Sequence, residues 1–204
     1  QHISDLADAQ GLPIRLVSSA MNLDSYSLYT RAGFVPQAMY QDMYLPASPT
    51  WDLAAIPYTS RVRKAEMDDL PAIVALEQAL HHIHREKDYR HFLTNPSGIW
   101  HLSVYENEAG AIDGFLASVA HPGSNMLGPG VMRTEDLALA LIASELQHHQ
   151  GRTPVFLIPV TCRTLVGHLY GMGARNSELH VHQVRGQYQP GNGILMPSFM
   201  PETC

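Results

Sequence analysis

A strand–helix–strand unit occurs twice in this chain, and two copies of one unit restrict the arrangements open to it. The first copy starts with the apolar run Ile14-Arg15-Leu16-Val17, predicting a strand over 14–20. Asn22 through Phe34 then reads as a short helix over 22–32 that stops on Gly33, with a strand over 37–45. The second copy starts with Val155-Phe156-Leu157-Ile158, a continuous apolar run of the kind a central strand shows when both faces are covered. A helix over 162–172 follows, ending before Gly173, and then a strand over 178–188. Setting Leu28-Tyr29 against Leu169-Tyr170 places Ile14–Ser18 on Val155–Pro159 and Gly33-Phe34 on Gly173-Ala174. Identity between the copies is sparse, so the repeat is one of fold.

The rest of the chain supplies elements only once. Residues 1–11 read as the end of a helix, with Ile3 and Leu6 three apart and Gly11 as its stop, so an upstream portion is expected. The stretch 47–60 carries Pro49 and Pro57 among small polar residues and predicts a linker, with Trp51 as its one large apolar anchor. A strand at 62–65 follows. Asp68 or Asp69 caps a helix whose Leu70, Ile73, Leu76 and Leu80 share one face. A second, more polar helix over 84–94 stops at Asn95-Pro96. Strands over 100–106 and 112–120 flank a turn with Asn107 and Gly110. Thr134-Glu135-Asp136 opens a helix that is apolar almost all round, from Leu137 to Leu146, and should be buried. A last strand is expected over 194–199.

The net charge of −6 over 204 residues argues against a nucleic-acid partner, which needs a basic face to displace counterions. No run of about 18 apolar residues is present, so a membrane span is not expected. Two cysteines, Cys162 and Cys204, form no metal-type cluster, and the default setting is the reducing cytoplasm.

The segment Leu28-Tyr29-Thr30-Arg31-Ala32-Gly33-Phe34, of the form Leu-Tyr-x-x-x-Gly-Phe, resembles the C-terminal half of the GNAT fold, that of the acetyl-CoA-dependent N-acetyltransferases. The element order after residue 61 is similar to that of the whole fold. The resemblance implies an α/β (α+β) protein: a mixed central sheet flanked by helices, in one and a half copies. Residues 1–46 would be the C-terminal half of a first unit, and 61–204 a second, complete one. The implied reaction is transfer of an acetyl group from acetyl-CoA, the cosubstrate, to an amine, with no metal. The amine could be a small molecule or a peptide, and a homodimer is one possible assembly.

Asn125-x-x-Gly128-x-Gly130 resembles the family's pyrophosphate motif. Glycines there would let backbone N–H groups approach the phosphates, with a helix N-terminus behind them. Asn125, Leu127, Gly128, Gly130, Val131, Met132 and Arg133 are therefore candidate cofactor contacts, although Pro129 removes one N–H and Glu135 and Asp136 repel phosphate. A plain turn is the alternative. By the same resemblance Tyr170 is the candidate general acid for the leaving thiolate, in a motif one residue short of the family form. Tyr29 sits in the fuller motif, and Asn22 fits a position that contacts the CoA arm. Glu106 and Asp113 flank a turn and read as solvated charges, so no general base is named. His81, His82 and His84 cluster, and His180 and His182 share a strand face, but neither set has a third ligand at metal spacing. The rival reading of the whole chain is a non-catalytic GNAT module that senses acyl-CoA or serves dimerisation.

Overall fold

The computed structural model describes residues 2–47, 52–121 and 123–198. Trp51, Pro49, Pro122, Cys204 and the end of the strand expected at 194–199 lie outside them. The elements are α1 (His2–Gln10), β1 (Ile14–Ser19), α2 (Leu23–Arg31), β2 (Val35–Tyr44), β3 (Val62–Lys64), α3 (Leu70–His81), α4 (Glu86–Thr94), β4 (Trp100–Glu106), β5 (Ile112–His121), β6 (Ser124–Met132), α5 (Glu135–Leu146), β7 (Val155–Pro159), α6 (Arg163–Gly171), β8 (Arg175–Arg185) and β9 (Ile194–Met196). Short 3-10 turns occupy Leu53–Ala55 and Thr59–Arg61, inside the stretch expected as linker.

Among the described residues nine strands join one sheet in the order β1-β8-β2-β7-β6-β5-β4-β3, with β9 added to β6. Neighbours run antiparallel except β6 and β7, which are parallel and paired only at Met126–Val155. Side chains alternate across the pleat, so adjacent residues feed opposite cores. Phe115, Met126 and Val131 face α3 and α4, together with Ile73, Tyr89 and Trp100. Leu116, Leu127 and Met132 face α5 and α6, together with Leu141, Phe156 and Leu169. The all-round apolar α5 is buried as its sequence requires, from Leu137 to Ala143 and at Leu146.

The repeated unit does not form a separate sheet. Strand β2 lies between β7 and β8, and β8 lies between β2 and β1. Each copy thus inserts its last strand beside the first strand of the other. Helices α2 and α6 start at Leu23 and Arg163, a spacing of 140 residues. The strand registers keep the same spacing: Ser19 faces His180 while Pro159 faces Tyr40, and Arg15 faces Val184 while Val155 faces Tyr44. Tyr40 faces His180 across β2 and β8, which places a local two-fold axis on that pair. This shifts by one residue the expected alignment of Leu28-Tyr29 on Leu169-Tyr170 and of Ile14–Ser18 on Val155–Pro159, and keeps that of Gly33-Phe34 on Gly173-Ala174. Tyr170 corresponds to Thr30, and Tyr29 to the buried Leu169, because burial phase rather than chemical identity sets the helix register.

Candidate functional site

The loop expected at 125–130 is strand instead. Leu116 faces Gly130 and Phe115 faces Val131 on the β5 side of β6. On its other side, beyond Met126, β6 parts from β7, and β9 takes the free edge with Gly130 facing Met196 and Met132 facing Ile194. The glycines serve close packing. A Cβ on Gly130 would lie 2.6 Å from Leu116 Cδ1 and 2.9 Å from the Phe115 carbonyl oxygen. Leu127, Val131 and Met132 have no exposed surface. Asn125 Oδ1 accepts from Arg152 Nη1 at 3.1 Å, and Arg133 Nε donates to Asp113 Oδ1 at 2.6 Å. The sequence signal that could have warned of this is Pro129 together with apolar residues on both sides of the glycines.

Neither helix start near this opening is bare. Thr134 caps α5, its hydroxyl accepting from Leu137 N at 3.4 Å. Glu135 reaches across to accept from Leu165 N at 2.6 Å in the first turn of α6. Burial, then the charge of Glu135, pushes the Cys162 thiol up to about 11. Asn22 caps α2, its side chain accepting from Ser25 N at 3.0 Å. Tyr29 is half-buried and packs edge-on to Phe34, with ring centroids 5.9 Å apart. Tyr170 is exposed, its hydroxyl 3.1 Å from Gln41 Oε1 on β2.

On the face of the sheet that carries α3 and α4 lies a cleft of about 400 Å³. Arg15 and Val17 of β1, Tyr40 of β2, His182 of β8, Ile83 and Arg85 from the α3–α4 turn, and Leu195 and Pro197 at β9 line it. Burial pushes Tyr40 well above the phenol range and His182 down to about 4. His81, packed nearby against the 191 turn, is likewise pushed down to about 4 by burial. Beneath the cleft Glu77 is fully buried. Arg85 Nε donates to its Oε1 at 3.0 Å, Arg85 Nη2 also reaches that oxygen, and the Tyr89 hydroxyl donates to it at 2.6 Å.

Farther along the same face, Asp42, Glu178 and His180 gather. The two ring nitrogens of His180 face different carboxylates, Nδ1 at 3.7 Å from Asp42 and Nε2 at 3.5 Å from Glu178. Ser19 Oγ donates to Glu178 Oε2 at 2.5 Å. Sequence reading singled out His180 and missed both carboxylates, because the β2–β8 pairing that unites them crosses 136 positions, from Asp42 to Glu178. On the opposite face Glu145 is buried and accepts from Ser118 Oγ at 2.6 Å, with His101 Nδ1 2.9 Å away. Burial alone would raise its carboxyl, but His101, Ser103 and Ser118 outweigh burial and hold it below the usual range.

No protein-family model matches the chain, and no curated protein is similar to it in sequence. The likeness is structural. A Pyrococcus horikoshii protein described as a candidate acetyltransferase superposes with a TM-score of 0.64 at 13% identity, over 94% of this chain and 59% of its own. A GCN5-related N-acetyltransferase from Sphaerobacter thermophilus gives 0.54 at 17% identity, over 89% and 62%. A tandem GNAT protein from the clavulanic acid biosynthesis pathway gives 0.51 at 15% identity, over 91% and 67%. The chain has the mixed α/β fold of the GNAT acetyltransferases and spans about six-tenths of the length of the first two.

Proposed function

We propose that the chain acts in acetyl transfer from acetyl-CoA to an amine as a tandem GNAT assembly, with the unit over 61–204 as its supporting half. The fold likeness supports acetyl transfer, and the observation that gives 61–204 the supporting role is β9 seated on the β6 edge where β6 and β7 part. That edge would otherwise offer backbone groups to a thioester arm. Here Gly130, Val131 and Met132 face strands on both sides. The capped start of α5, with Glu135 and Asp136 beside it, also disfavours a pyrophosphate at 128–133.

The elements of the first copy carry the working role in this reading. Asn22 stands at the N-terminus of α2, where a helix end favours phosphate or carbonyl oxygen. The Tyr29 hydroxyl is the proton donor to the departing thiolate in this reading. The amine attacks the thioester carbon directly. The tetrahedral intermediate collapses to amide and thiol, with the amine's proton leaving to solvent or to a base that no residue here is assigned. A cytoplasmic setting and pairing of two copies belong to the same proposal.

The test is release of free CoA when acetyl-CoA is supplied with a panel of amines. Tyr29→Phe should lower turnover about 10²–10⁴-fold, and Tyr170→Phe should leave it unchanged. The reverse result would return the acid role to Tyr170. The second reading, a non-catalytic acyl-CoA sensor, is favoured by the same seated β9, and it expects calorimetric binding of acetyl-CoA without turnover of any amine.

A further inference from the structure

We propose that the cleft between the α3–α4 turn and the sheet binds a small ligand with an apolar body and one oxyanion group, carboxylate or phosphate, and that Arg15 is the counter-charge. This deepens the acetyl-transfer reading by giving the amine acceptor an anionic group, and it rests on that reading only for the word acceptor.

Six other arginines are paired with acid groups. Arg61, Arg63, Arg85, Arg90, Arg133 and Arg185 each reach a carboxylate. Arg15 lines the cleft half-buried, yet among the described residues it has no hydrogen bond and no ion pair. Its guanidinium only stands over the Tyr188 ring, 5.9 Å from the centroid. A desolvated guanidinium is costly unless paired, and its fork matches a carboxylate or phosphate.

Among the described residues, none nearby supplies that pair. Glu77, which faces this side, takes Arg85 and the Tyr89 hydroxyl on Oε1, and its charge acts on Arg15 only through space, without a hydrogen bond or ion pair. His182 and His81 are held neutral by burial and offer no negative charge. The walls beside Arg15 are apolar, with Val17, Ile83, Leu195 and Pro197. The cleft therefore presents one guanidinium without a hydrogen-bonded partner at the end of an apolar cavity whose volume suits a small molecule. Low local dielectric would strengthen a charge pair formed there.

The experiment uses the whole chain and two probes of one shape, 3-phenylpropionate and 3-phenylpropionamide, titrated by calorimetry. The acid should bind at least about tenfold tighter than the amide, since a charge-assisted hydrogen bond contributes more than the neutral one it replaces. Arg15→Gln should erase that preference while amide binding persists, and Arg15→Lys should restore part of it. Arg15 lies on an edge strand, so the melting temperature of both variants should stay near that of the parent. Equal binding of acid and amide, an acid preference that survives Arg15→Gln, or no binding of either probe at millimolar concentration would each overturn the proposal. Coenzyme A is the third probe. Displacement of the acid by coenzyme A, lost in Arg15→Gln, would assign the oxyanion to a cofactor phosphate, and no displacement assigns it to the acceptor. Because none of these readouts uses turnover, failure here is separable from failure of the acetyl-transfer reading.

Discussion

The units β1–α2–β2 and β7–α6–β8 share length, order and a spacing of 140 residues, yet they live in different surroundings. Strand β7 has three consecutive residues buried, Phe156, Leu157 and Ile158, and α6 buries Leu165 and Leu169. Neither β1 nor α2 buries any residue, and neither does α1. Large apolar residues on this side stay in water, with Met21, Leu23 and Leu28 each at least 60% exposed. Strand β2 is the exception, because it is inserted into the other copy, where Met43 has no exposed surface. The difference teaches that the backbone plan of the unit does not need a full core. The pairing across the two-fold axis holds the outer copy in place.

The largest expected effect comes from removing that pairing. A chain beginning at Arg61 lacks β2, so β7 and β8 lose their shared neighbour and Met43 and Leu45 leave the core. It should lose cooperative unfolding in calorimetry and expose apolar surface. A melting temperature equal to the parent's would break the comparison, since the two copies would then be independent.

Leucine substitutions in the two matching helices sharpen it. Leu169→Ala should cost about 2–5 kcal/mol in denaturant unfolding, as for other fully buried leucines. Leu28→Ala, on the exposed side of the matching helix, should stay within about 0.5 kcal/mol. A large loss at Leu28 would mean that a second molecule covers this face.

The pH dependence differs in sign between the copies at one register position, where Ala38 faces His182 and Asp42 faces Glu178, placing His182 and Asp42 140 residues apart. Burial lowers His182 to about 4, so the unfolded chain takes up the proton first as acid is added. Its contribution is full above its ordinary value of 6.5 and is lost as pH falls from there toward 4, on the order of 1–3 kcal/mol. His182→Gln should reduce the slope of unfolding free energy in that window, leaving the part carried by His81 and His149. Asp42 is raised by burial against a partial offset from His180, so the folded chain holds its proton longer. Its contribution is instead lost as pH rises above the ordinary carboxylate range, and Asp42→Asn should remove that slope.

Apart from Leu28→Ala, the smallest effects belong to the helix caps. Asn22→Ala and Glu135→Ala each remove a side chain that accepts from a first-turn N–H, of α2 and α6 respectively. Each should cost about 0.5–2 kcal/mol. If Glu135→Ala costs no more than the solvent-exposed Asn22→Ala, the closed environment of the second copy contributes nothing to its cap.

Much of the fold was legible because it rests on local signals. The helix stops at Gly33 and Gly173, the apolar β7 and the buried α5 follow from residue pattern alone. The candidate site was much less so. Gly128 and Gly130 carry the same letters whether a phosphate or a neighbouring strand comes close, and only the packing of Leu116 and β9 separates the two cases. Arg15 has no sequence mark at all, since its interest lies in what fails to reach it.

The sequence by itself determined the order of elements, their repetition and the apolar strips each must bury, because helix and strand periods are properties of neighbouring residues. Tertiary structure alone decided the exchange of β2 and β8, the seating of β9 on β6 and the gathering of Arg15, Tyr40 and His182 around one cleft. Those outcomes depend on which strand edges meet. An edge presents the same backbone groups whatever its side chains, so partner choice is settled only when the whole sheet assembles.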